Sequence, residues 1–379
     1  MVNKVLIYEV HFSNINRYVV PLAKHLIENR ITEEVVIIYD SFVESDKIDL
    51  KDLKNVTHCT VKNEHAKHKI SSLDNTVFFN YSYRITDLFW TYKFKKLGAR
   101  CCQIQHGMYA EFLERSFMGY FSAMGRKLTY LKYLFSFLLK FELVIFTYLF
   151  NKDFLKSFKI NEYLEKRKSK IVPVQSDHVF VWGEYWKEWF IKNHYYLSED
   201  SFTIMGNPDY HTFIKHSKFE MQSEKVCYIA QTFVEDGRME KIDYKKVIDN
   251  LADALKDRLI IKLHPRSDKS IYEKVLNNGG EITFDFPISG VYLGHYSSVL
   301  ALAINVENSK VFLLEINNEE IPEYFRNSAN RVFLKEEDLI DAILGNDDSV
   351  GSKQISYYFE NIERHPFEII SEKIANIKD

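Results

Sequence analysis

The chain has 379 residues, more than one ordinary core accommodates, so about two domains are expected. A net charge of −3 gives no global attraction to nucleic acid, and 46% hydrophobic with 27% charged residues excludes a disordered chain. The cysteines, Cys59, Cys101, Cys102 and Cys227, show neither CxxC nor Cys/His zinc spacing and read as reduced, buried thiols of a cytoplasmic protein.

The opening stretch MVNKVLIYEVHFS turns polar too quickly for a signal peptide and reads as a first strand over 4–10. A helical stretch near 15–30 follows, then apolar runs of strand length at 33–40, 76–82 and 99–107. Between the last two, ITDLFWTYKFKKLG has helical periodicity, with Gly98 as its stop. Residues 118–150 break this rhythm, being apolar and aromatic on nearly every helical face. Lys132, Lys140 and Glu142 interrupt the roughly 18–20 apolar residues that a membrane-spanning helix needs. Basic residues flank the segment, Arg126 and Lys127 on the near side and Lys152, Lys156, Lys159, Lys166, Arg167, Lys168 and Lys170 on the far side. Such a surface suits a helix lying in an anionic bilayer surface, so 114–170 is expected as a membrane-associating helical insertion, with a buried hairpin as the alternative. Strand candidates resume at 177–183, 201–208, 225–231, 258–265, 290–298, 309–316 and 331–334, and 353–379 reads as helices broken near Pro366. Strands alternating with helices predict two α/β halves with parallel sheets, 1–208 and 224–352, with the 353–379 helices packing back on the first.

In open α/β sheets ligands bind beyond the carboxyl ends of the strands, so the polar residues just after each strand are the candidates. His11, Ser13 and Asn14 follow the first strand and are acceptor-side candidates, while Glu9 inside that strand reads as structural. In IIKLHPRSD, Pro265 ends the ladder and keeps His264 extended as it leaves the sheet, with Arg266 next. In GHYSSVLALAI, Ser297 or Ser298 can cap an apolar helix whose free N–H groups favour an anion. Taken to end neighbouring strands, His264, Arg266, Ser297 and Ser298 make a phosphate site, and Gln231 and Thr232 are candidates for the nucleotide beside it. In QHGMYAE, His106 suits a general base for a hydroxyl nucleophile, Glu111 is the alternative base, and Gly107 allows a positive φ or a close approach. No Walker loop, no GxGxxG after the first strand and no DxD in a strand-end loop are present, which argues against a P-loop ATPase and a dinucleotide-binding dehydrogenase. Neither a metal nor a cofactor is expected beyond a nucleotide-linked co-substrate.

Two α/β halves with His-Pro-Arg at one strand end and Ser-Ser at the next resemble the donor half of GT-B glycosyltransferases, built of two Rossmann-like domains. The HP and SS elements resemble those of bacterial sialyltransferases and polysialyltransferases, where a histidine and a serine pair contact the phosphate of a CMP-sugar. QHG and KLHP are also similar to elements of the teichoic-acid glycerophosphotransferases, which use a CDP-polyol donor. VWGEYWKEWF and TIMGNPDY are similar to the segment before the interdomain linker of many capsule and O-antigen transferases. The resemblance implies a GT-B glycosyltransferase carrying the apolar, basic helical insertion in its N-terminal half. Its donor would be CMP-sialic acid or a related CMP-sugar. Its acceptor would be a bacterial surface glycan, capsule, lipooligosaccharide or O-antigen, and it would be cytoplasmic, peripheral on the inner membrane face. A polyol-phosphate transferase, a nucleotide-sugar epimerase and a non-catalytic scaffold of the same fold are the alternatives. Two departures matter. The sialyltransferases carry an acidic-acidic-Gly motif well upstream of HP, in the acceptor half, where it supplies the base. Here Glu235-Asp236-Gly237 lies close upstream, at the start of the donor half, so that role is not carried over. The tryptophan that precedes His-Gly in the teichoic family is Gln105 here.

Overall fold

The computed structural model describes residues 2–10, 14–40, 43, 46, 48–50, 53–67, 73–81, 84–108, 132, 133, 135, 136, 175–194, 198–215, 220–316, 320–345, 355–360 and 363–376. Among the described residues, thirteen strands lie in two sheets. The first is β1 (Val2–Tyr8), β2 (Thr32–Tyr39), β3 (Val56–Thr60), β4 (Thr76–Asn80), β5 (Arg100–Ile104), β6 (His178–Val181) and β7 (Phe202–Ile204), in the order β3-β2-β1-β4-β5-β6-β7. The second is β8 (Gln222–Ile229), β9 (Leu259–Lys262), β10 (Glu281–Thr283), β11 (Ser289–Gly294), β12 (Lys310–Leu314) and β13 (Arg331–Phe333), in the order β10-β9-β8-β11-β12-β13. Every pairing is parallel. Each half is thus an α/β unit of Rossmann type, whose strand order reverses beside its first strand, at β1/β4 and at β8/β11. Ligands bind at such reversal points.

The strands form where the apolar runs lie because both faces of a parallel sheet are covered. Val5, Leu6 and Ile7 in β1 and Val77, Phe78 and Phe79 in β4 are buried on both faces. The helices that matter below are α1 (Val20–Glu28), α2 (Ile85–Lys95), α3 (Lys241–Leu255), α4 (Leu300–Ile304) and α5 (Pro366–Ala375). α2 stops as its sequence predicts: Gly98, at φ +98°, takes the left-handed turn that follows the helix. Among the described residues, β1–β7 and α5 belong to one compact unit and β8–β13 to the other; the chain passes between the units at 106/107 and at 208/209. The short helix Ile355–Tyr358 stays with the second unit, where Asn327 Nδ2 donates to the Tyr358 hydroxyl at 2.9 Å. α5 packs on α1, with His25 and Phe367 ring centroids 6.0 Å apart.

Most of the expected insertion at 114–170 lies outside the described residues, which include its Lys132, Tyr133, Phe135 and Ser136. Tyr133 is buried in the core of the first unit, where Trp90 Nε1 donates to its hydroxyl at 2.9 Å and that hydroxyl donates to Asp40. Tyr8 donates to the other oxygen of Asp40 at 2.5 Å. Lys132 and Phe135 are exposed. Among the described residues no helix is long and apolar enough to cross a membrane.

Candidate functional site

In the second unit the strand order corrects one expectation. β8 lies between β9 and β11, so His264 and the two serines do not end neighbouring strands. What links the two ends is the loop after β8. Gln231 grips the main chain of Tyr296, beyond β11: its Oε1 accepts the Tyr296 N–H at 3.1 Å and its Nε2 donates to the Tyr296 carbonyl. On the other side Thr232 accepts from Arg266 Nη2 at 3.1 Å and donates to Asp236 Oδ2 at 2.8 Å. Arg266 Nη1 closes the set on Asp236 Oδ1 at 2.8 Å. One run of hydrogen bonds therefore braces the ends of β9, β8 and β11 across the reversal point.

The brace changes what each candidate can offer. Gln231 and Thr232 are committed to the scaffold. Arg266 is exposed and already faces a carboxylate, so its charge is partly offset. Asp236 is held below the ordinary carboxylate range, against its own burial, by Arg266 and Thr232. Glu235 accepts the Asp268 N–H at 2.6 Å, and Gly237 sits at φ +66°, where glycine is favoured. The acidic-acidic-Gly triplet thus supports the turn after β8.

His264 Nδ1 accepts the Arg266 N–H at 3.1 Å. An accepting Nδ1 is unprotonated, so the proton of the neutral ring resides on Nε2, a donor suited to a phosphate oxygen. Ser297 Oγ accepts the Leu300 N–H at 3.1 Å and caps α4. That helix has only five residues, so little of the expected dipole is present. Ser298 is half-buried, and its hydroxyl makes no hydrogen bond among the described residues. His295, next to this loop, is a core residue. Its Nδ1 faces the Leu314 carbonyl at 2.6 Å and its Nε2 the Tyr228 hydroxyl at 2.8 Å, and burial lowers its pKa to about 4.

In the first unit, Gln105 staples β5 to β6. Its Oε1 accepts the Trp182 N–H at 2.8 Å and its carbonyl accepts from Trp182 Nε1 at 3.1 Å. His106 then leaves the sheet with Nδ1 against the Tyr81 carbonyl at the end of β4. A carbonyl only accepts, so Nδ1 carries the proton and Nε2 is the basic nitrogen. Burial lowers the His106 pKa, keeping the ring neutral near pH 7. Gly107 is not at positive φ, and a Cβ there would meet nothing within 4 Å, so no contact among the described residues requires glycine at this position. Asn14 precedes the wide helical turn Ile15–Val19 and does not cap it with its side chain. His11, Ser13 and Glu111 lie outside the described residues.

Of three charged residues around His106, Glu9 was read from sequence as structural, and Arg84 and Asp87 were not singled out. Glu9, fully buried at the end of β1, accepts from Arg84 Nη1 at 3.1 Å. Arg84 forks onto buried Asp87, Nε to Oδ2 at 2.6 Å and Nη2 to Oδ1 at 3.1 Å. The signal was an acid interrupting the apolar run KVLIYEV, read as structural. Among the described residues no group of three or more His, Cys, Asp or Glu could hold a metal ion.

No family model matches the chain, and no curated protein matches it. Solved structures do match. A Listeria monocytogenes protein assigned as a UDP-N-acetylglucosamine 2-epimerase aligns over 98% of this chain and 96% of its own, at 13% identity and a TM-score of 0.55. The UDP-GlcNAc 2-epimerase of Methanocaldococcus jannaschii, solved with UDP-GlcNAc and UDP, aligns over 98% and 99%, at 14% identity and 0.52. A ugt transferase from Siraitia grosvenorii, solved with UDP, aligns over 98% and 99%, at 10% identity and 0.51. The likeness is one of fold: two Rossmann-like units, the composition of the GT-B fold.

Proposed function

We propose that the protein is a glycosyltransferase that moves a sugar from a nucleotide-activated donor to a hydroxyl of a surface glycan. The observation that carries this reading is the braced reversal point of the second unit, where His264, its ring proton on Nε2, and Ser298 stand beside strand ends held by Gln231, Thr232 and Arg266. Donor phosphate binds there. His106 of the first unit, neutral and basic at Nε2, takes the acceptor proton, and Glu111 remains the alternative base. The HP and SS elements favour a CMP-sugar, and the reaction is read as needing neither a metal nor a further cofactor. The aromatic segment 118–150 with its basic flanks supports action at the inner, anionic face of a membrane.

Thermal unfolding with CMP, CDP, UDP and GDP tests the donor site. A nucleotide at 100 times its Kd stabilises the native state by about 2.7 kcal/mol. CMP is expected to raise Tm most. A rise with CDP above CMP would favour the polyol-phosphate alternative, and no rise with any nucleotide would overturn the donor site.

A further inference from the structure

We propose that His295 is a positioning residue of the donor loop: locked between the ends of β12 and β8, it holds the Tyr296-Ser297-Ser298 turn in the shape that receives the donor phosphate. This role rests on that turn being the phosphate site. Register sets the place. Leu293 pairs with Tyr228 on β8 and Gly294 with Leu313 on β12, so His295, the first residue past β11, stands on the rung of Leu314 at the reversal point. The Leu314 carbonyl can only accept, so Nδ1 carries the proton and donates to it at 2.6 Å. Nε2 must then accept, and the Tyr228 hydroxyl donates to it at 2.8 Å. The Tyr228 and Tyr244 hydroxyls are 3.1 Å apart. With the one Tyr228 hydrogen used on Nε2, Tyr244, on α3, is the donor of that pair. These hydrogen bonds share one consistent direction and tie α3, β8, β11 and β12 through a single tautomer.

His295, Tyr228, Tyr244 and Phe233 are all buried. Apolar side chains would fill the same space without desolvating an imidazole and two phenols, so packing alone does not account for the set. Both imidazole nitrogens are satisfied, and a satisfied buried network rigidifies what it joins. Here it joins the donor loop. Phe233, from the loop that supplies Gln231 and Thr232, lies edge-on to the rings of His295 and Tyr296, at centroid distances of 5.2 and 6.4 Å. From that same loop Gln231 grips the Tyr296 main chain. Residues 295 and 296 are therefore fixed, one by its side chain and the other by its backbone, immediately before Ser297 and Ser298. A loop ordered before the ligand arrives loses no freedom on binding, and affinity gains accordingly.

Calorimetric titration with CMP in the full-length protein, through a double-mutant cycle of Tyr228→Phe and Ser298→Ala, tests this role, with heteronuclear NMR of the His295 ring N–H alongside. Tyr228→Phe leaves Nε2 without its donor and should weaken CMP binding about threefold to tenfold, the weight of one ordinary hydrogen bond. In the Ser298→Ala background the same change should cost almost nothing, because the group it positions is gone. The His295 Nδ1–H signal should shift when CMP binds. His295→Asn, whose amide stands in for Nδ1 and leaves Tyr228 without an acceptor, carries the cycle if Tyr228→Phe does not fold. Unchanged affinity in the folded variant, or the same loss with and without Ser298, overturns the positioning role, as does a ring signal indifferent to CMP. Full CMP affinity in Ser298→Ala itself overturns the phosphate site on which that role rests.

Discussion

His264 and Arg266 stand two residues apart in one loop, yet the structure gives them different weights. His264 accepts a backbone N–H at Nδ1, so its ring proton resides on Nε2. Arg266 is exposed and paired with Asp236. A hydrogen bond to a charged group contributes about 1.5–3 kcal/mol, so His264→Ala should weaken CMP binding roughly tenfold to a hundredfold. An exposed, already paired charge contributes at most about 1 kcal/mol, so Arg266→Ala should cost no more than about fivefold. Calorimetric titration of both variants checks the ordering, and the reverse order would move the phosphate toward Arg266. Sequence alone ranked the two equally, because their difference lies in Thr232 and Asp236, contributed by the loop after another strand. The same holds for Gln231, whose amide reads as a ligand for a nucleotide but is committed to Tyr296.

Among the elements, the chain reveals its buried strands and hides two of its four outermost ones. β3 and β10 gave no apolar run to read: VTHCT is mostly exposed or half-exposed and EIT has no buried residue, as befits outermost strands with one neighbour each. The Glu9–Arg84–Asp87 cluster was hidden for a related reason, since Arg84 and Glu9 are 75 residues apart and only the sheet brings them together. The C-terminal helix α5 was legible through Pro366. What fixes its start is His365, whose Nδ1 accepts the Phe367 N–H at 3.1 Å while its ring lies 6.3 Å from that of His25 on α1. Losing a cap costs about 1 kcal/mol. His365→Ala should therefore speed amide exchange across Pro366–Ala375 about fivefold, with β1–β5 unchanged. Equal exchange in wild type and variant would show that docking on α1, rather than the cap, holds the helix.

At the scale of the molecule, His106, His178 and His295 are kept neutral. Burial lowers all three pKa values, with Lys373 and Arg100 assisting at His178, and those of His178 and His295 fall to about 4. A folded-state pKa below the unfolded one contributes stability that is fully present above about pH 6.5 and is lost as pH falls toward the folded value. His178 and His295 should each account for a loss of about 2 kcal/mol between pH 7 and pH 5, measurable by urea unfolding at the two pH values. The fold class could be read from strand–helix alternation because the hydrophobic pattern alone sets it. The chemistry could be read only in part, because HP, SS and QHG name strand ends without saying which strands are neighbours. The most direct measurement of the central claim is mass spectrometry of the products from a CMP-sugar and a glycan acceptor, with wild type and His106→Ala side by side. The account predicts free CMP and an acceptor heavier by one sugar with wild type, reduced about a hundredfold or more in the variant; an unchanged acceptor, with the donor intact or its sugar merely epimerised, would contradict it.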